Sequence, residues 1–203
     1  MTLSKGPFDK VKVRHSVRMS ETLTAVPVRR LGVLLISVVV LALTLTWAFL
    51  SMRAVMEVGG SCADGGPYVS AQPCPGGAGF IGIAVPVMIL ATFVGSFVAI
   101  SLSAPNLLVP MWTLLFGSLG WNFLEYAIEW PGGVDPGWLI CGIVFELMAL
   151  PGLVVIVMSR GAMWTSGKGA TSAPNDSGLW WGIYAALGTI GAALGAWSFY
   201  SWR

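Results

Sequence analysis

The chain has 203 residues, 56% of them hydrophobic and only 10% charged, whereas soluble domains carry about 25% charged residues. That balance excludes an ordinary water-soluble domain, and a formal net charge of +2 gives no reason to expect a nucleic-acid partner. A bilayer core needs roughly 20 apolar residues per helix; five such runs can be read here, and no second, soluble domain fits beside them.

The charge is unevenly placed. Residues 1–30 hold Lys5, Lys10, Lys12, Arg14, Arg18, Arg29 and Arg30 against Asp9 and Glu21, a balance of +5. The remainder holds Arg53, Arg160, Lys168 and Arg203 against Glu57, Asp64, Glu125, Glu129, Asp135, Glu146 and Asp176, a balance of −3. Such a split sets topology first. Residues 1–30 are read as a cytoplasmic segment attracted to anionic lipid, or alternatively as a docking arm for a partner protein. They are not a secretory signal, because the run that follows is a full span with no small-residue cleavage site. His15 stands alone in this tail and suggests no metal or catalytic role.

Residues 31–52 form the first predicted span, which carries no charge. Thr44 and Thr46 can return their hydroxyls to carbonyls of their own helix. Arg53 and Glu57 follow one turn apart, beyond the apolar run, where they can pair with each other at the surface for little gain.

Residues 53–79 form a Gly- and Pro-rich loop containing Cys62 and Cys74. With the N-terminus inside, this loop lies in an oxidising compartment. The two cysteines are then the expected disulfide, since Cys141 falls within an apolar run. A bridge closing a loop of this length contributes about 3 kcal/mol by restricting the unfolded chain. The loop reads either as a stapled cap over the helix ends or as a recognition loop presenting Tyr68 and the Gly65-Gly66-Pro67 turn. Two thiols without a nearby histidine fall short of a zinc shell. The pattern Gly59-Gly60-Ser61-Cys62, Gly65-Gly66-Pro67-Tyr68, Pro73-Cys74-Pro75 resembles a group of small multi-spanning membrane proteins of actinobacteria. The resemblance implies a multi-pass protein of the bacterial cell membrane and transfers no activity and no site residue.

Residues 80–102 form the second predicted span, with Pro86 near its start and a smooth face at Ala91, Gly95 and Ala99. The third, 107–128, places Pro110 in its first turn, where proline costs little. Gly117 and Gly120 thin one side of it, and Asn122 and Glu125 lie near its end. An acidic turn with Glu129 and Asp135 leads to the fourth span, 138–158, which holds Cys141, Glu146 and Pro151. The next connection contains Gly167-Lys168, but Ala162 and Gly169 stand where a phosphate loop needs Gly and Ser or Thr. The fifth span, 179–199, carries Gly188, Gly191 and Gly195. This ridge of small residues suits packing within the bundle or against another protein.

The expected fold is an all-α polytopic bundle of five transmembrane helices, N-terminus in and C-terminus out, with tryptophans near both boundaries. Glu146 is the one ionisable side chain well inside a span, and no span offers it a Lys, Arg or His. It reads as a functional acid, or as a neutral carboxyl hydrogen-bonded to backbone or to Asn122. Asn122 and Glu125, three residues apart, share a helix face. With Glu146 they could line an outward polar pocket for a proton or cation, or Glu125 could be an interfacial acid reaching water. No cofactor motif, metal set or catalytic triad is readable. The leading expectation is a non-catalytic accessory or scaffold subunit of a larger membrane assembly, with the respiratory chain one candidate on cell context alone. Its partners would be the lipid bilayer and either other membrane subunits or a second copy. The alternative is a small transporter or ion-conducting protein using Glu146 with Glu125. A membrane enzyme ranks third.

Overall fold

The computed structural model describes residues 28–60, 62, 73–102, 104–129, 133–159 and 176–202. The basic tail with His15, the Gly65-Gly66-Pro67-Tyr68 turn, the connection around Lys168 and the terminal Arg203 lie outside the described residues. Five helices follow in order: α1 Val28–Glu57, α2 Phe80–Ser101, α3 Leu108–Glu129, α4 Pro136–Ser159 and α5 Asp176–Trp202. No strand occurs among the described residues. In lipid a helix satisfies its own backbone hydrogen bonds, so long apolar runs fold this way. Four of the helices, α1, α2, α4 and α5, are long and apolar enough to cross a membrane. In α3, also 22 residues long like α2, Asn122, Glu125 and two tryptophans interrupt the apolar run.

α1 is the hub. It packs against α2, α5 and, less extensively, α3, whereas α4 rests on α3 alone among the described helices. The core around α1 joins Leu34, Val38 and Leu41 to Met88, Ala91 and Ala99 of α2, Leu107 and Met111 at the start of α3, and Tyr184 of α5. The smooth face of α2 is the one in contact: a side chain at Gly95 would lie 2.9 Å from Cβ of Ser37. α5 approaches more closely still. A Cβ at Gly191 would overlap the carbonyl oxygen of Val39, and one at Gly195 would lie 2.8 Å from the carbonyl oxygen of Leu43. The Gly191/Gly195 pair is therefore spent on α1, while Gly188 has nothing within 4 Å.

Local chemistry explains the helix ends. Asn106 accepts the backbone N–H of Leu108 at 2.7 Å and opens α3. Asp135 accepts the N–H of Trp138 at 2.9 Å, and Pro136 occupies the first turn of α4, a capping arrangement that needs no N–H from proline. Thr44 and Thr46 bond back to the carbonyls of Val40 and Ala42 at 2.9 Å, as their place within a helix leads one to expect.

One end of the bundle is tied by aromatic and hydroxyl contacts. Trp47 donates to Ser198 Oγ at 2.9 Å and stacks on Phe80, which in turn meets Phe199 at 5.8 Å between ring centroids. Ser51 donates to the Gly77 carbonyl at 2.9 Å. The cysteine loop leaves and re-enters at this end, and Cys62 and Cys74 are bridged with their Cα atoms 4.8 Å apart. Its stems run against two rings. Gly60 and Gly77 both have positive φ, and a Cβ on either would overlap Trp138 or Phe199, respectively. Only glycine meets both demands at once. At the opposite end Tyr184 donates to the Pro105 carbonyl at 2.9 Å and anchors α5 to the α2–α3 turn.

Candidate functional site

The polar centre of the molecule is built by α1 and α3. The predicted first span stops at residue 52, with Arg53 and Glu57 beyond it, one turn apart and able to pair. The helix continues through both residues to Glu57, which fixes the direction of Arg53. Its guanidinium crosses to α3 and holds the Glu125 carboxylate with two bonds: Nη1 donates to Oε2 at 2.5 Å, and Nη2 donates to Oε1 at 2.9 Å. This planar, two-point geometry suits Arg and not Lys. The rings of Phe49 and Tyr126 flank the cation at 5.8 and 5.7 Å. Asn122, fully buried, accepts weakly from Arg53 at 3.5 Å and donates to the Phe49 carbonyl at 3.4 Å. Arg53 and Glu125 are 30% and 23% exposed. Asn122 and Glu125 thus share a face, and that face is turned to α1.

Glu146 lies elsewhere. Its carboxyl rests over Gly120 of α3, where an added Cβ would stand 2.8 Å from Oε1. At 100° per residue, Gly120 is about 160° around the helix from Asn122 and about 140° from Glu125. The structure does not bring the three predicted residues into one pocket. α3 presents Asn122 and Glu125 to one neighbour and Gly120 with Glu146 to the other. Nor does Asn122 hydrogen-bond the Glu146 carboxyl; its contacts go to α1. Glu146 is half-buried.

The α3–α4 seam is otherwise apolar and close. Gly142 receives Leu124, Gly152 receives Thr113, and Ala149 faces Gly117. A ladder of rings closes one flank: Trp112 on Phe116, then Phe145, Phe123 and Trp138, with centroid spacings from 4.4 to 5.9 Å. The Trp112 indole donates to the Met148 carbonyl at 2.9 Å. Thr113 Oγ1 is buried without a hydrogen-bond partner. Cys141 is a free, exposed thiol on α4. Among the described residues no three His, Cys, Asp or Glu side chains converge on a metal position.

Arg53 is the site residue that sequence reasoning missed. The stretch Ala54-Val55-Met56-Glu57, with no helix breaker before Gly59-Gly60, signals that the helix continues past Arg53 but not which partner it takes. The chain matches no protein-family model, no curated protein and no solved structure.

Proposed function

We propose that this is a non-catalytic accessory or scaffold protein of a larger membrane assembly, a multi-pass protein of the bacterial cell membrane with five spans, N-terminus in and C-terminus out. The observation that carries this reading is the closed Arg53–Glu125–Asn122 clamp. Arg53 of α1 and Asn122 and Glu125 of α3 join the two helices to each other, leaving Glu125 neutralised where a conducting protein would need it available. The orientation rests on the basic N-terminal segment and on the acidic residues at the cysteine-loop end. A bridged Cys62–Cys74 pair agrees with an oxidising compartment on that side.

The test is gentle detergent extraction of the full chain from its own membrane, followed by identification of chains that co-purify in fixed ratio. A lone, stable monomer counts against the proposal. A second reading, a small transporter or ion-conducting protein, is favoured by one observation: the Glu146 carboxyl rests on a glycine, and its nearest helix offers it no cation. Unchanged proton or cation flux in vesicles after Glu146→Gln removes that reading.

A further inference from the structure

We propose that the open flank of the α3–α4 seam, centred on Glu146, receives a transmembrane helix of a different protein, and that this helix carries a Lys, Arg or His that pairs with Glu146. The inference rests on the accessory-protein reading and names the surface and the chemistry of its partner.

Among the described helices α4 packs on α3 alone, with its first turn also reaching the Gly60 stem of the cysteine loop through Trp138. One flank of their seam is shut by the ring ladder from Trp112 to Trp138. On a helical projection Ile143, Leu150, Leu153 and Val157 fall within about 60° of Glu146, on the other flank. They are 47%, 49%, 47% and 66% exposed. The flank is therefore an apolar strip with one carboxyl at its lip. Gly120 holds that carboxyl at the surface of α3, because the helix backbone lies directly beneath it.

An ionised carboxylate among lipid chains is costly, and intramembrane acids are found facing a counter-charge or a cavity. This chain does not supply the counter-charge from its described residues. Arg53 is bound to Glu125. Arg29 and Arg30 start α1, a helix that α4 does not touch. A second copy does not supply it either. The five apolar runs contain no Lys, Arg or His, so self-association through this strip would set acid against acid. Charge complementarity thus selects a different chain with a basic residue at the depth of Glu146, and the exposed aliphatic side chains give that helix a surface to pack on.

The test places a photoreactive phenylalanine analogue at Leu150 or Val157 of the full chain in its native membrane. Phe97 of α2 and Leu194 of α5, both exposed, serve as control positions. The expected result is one protein adduct from the α4 positions, mapped by mass spectrometry to an apolar segment containing Lys, Arg or His. Glu146→Gln lowers its yield at least about fivefold, the effect of losing a charge-assisted contact, while Glu146→Asp retains it. Glu146→Lys restores the adduct when the partner's basic residue is changed to Glu. Adducts to lipid alone, to a second copy, or to a segment without a basic residue overturn the proposal, as does a yield indifferent to Glu146→Gln. Cation flux through the purified chain that is lost with Glu146→Gln also overturns it, making the lip an ion site. If partners co-purify but adducts form only from Phe97 or Leu194, the accessory reading stands and this surface fails. If nothing co-purifies, the accessory reading itself fails.

Discussion

Replacing either member of the Arg53–Glu125 pair should loosen α3 from α1, and unequally. Two unit charges about 4 Å apart attract by about 4 kcal/mol at an effective dielectric near 20, and desolvating both takes back several kcal/mol. The pair is neither fully exposed nor sealed, at 30% and 23% side-chain exposure, and its geometry is two-pointed. Its net contribution should lie between the values for surface and buried pairs, about 1–2 kcal/mol. After Glu125→Gln, Arg53 keeps the Phe49 and Tyr126 rings, so the loss should be near 1 kcal/mol, the lower end of that range. After Arg53→Gln, Glu125 loses its cation and both rings lose theirs, so the loss should approach about 2 kcal/mol. For a chain of this size each kcal/mol moves the midpoint by roughly 2–4 °C. The assay is thermal unfolding of the detergent-solubilised full chain by tryptophan fluorescence, for both single variants and the double variant. The double variant should fall short of additivity by about 1 kcal/mol. Additivity to within about 0.3–0.5 kcal/mol, the limit for independent sites, would mean that the clamp does not hold the helices together.

The glycines of α5 should separate sharply in the same assay. Gly191→Ala and Gly195→Ala place a methyl against backbone carbonyls of α1 that cannot swing away, costing about 1–3 kcal/mol. Gly188→Ala meets nothing and should be neutral or slightly stabilising; equal losses at all three would refute the assigned α1–α5 face. Tyr184→Phe removes the donor to the Pro105 carbonyl and should cost about 1–2 kcal/mol, because that carbonyl is left unsatisfied. Alkylation of the denatured chain should modify one thiol, Cys141, before reduction and three after it. Two or three modified thiols without reductant would remove the bridge.

Much of this was legible before folding. The back-bonded Thr44 and Thr46 need no partner on another helix. Cys62 and Cys74 could be paired once Cys141 was assigned to an apolar run. The Arg53–Glu125 pairing was not legible because the two residues lie 72 apart in sequence and Glu57, one turn on, is the local acid. Only the packing of α1 on α3 brings Glu125 to the guanidinium. The proposed grouping of Glu125, Asn122 and Glu146 failed because antiparallel neighbours share a seam only where the right faces meet, and α3 has a second neighbour on its other side.

The amino-acid sequence by itself determined which segments become helices, since a backbone in an apolar solvent must satisfy its own hydrogen bonds and only certain runs are apolar enough to require it. Which helix meets which was decided by the tertiary structure. Lipid tails are as apolar as leucine, so the apolar pattern cannot distinguish a lipid-facing side from a packed one. Close fit makes that choice here: Gly191 and Gly195 take the backbone of α1, Gly120 takes Glu146, and Arg53 finds Glu125.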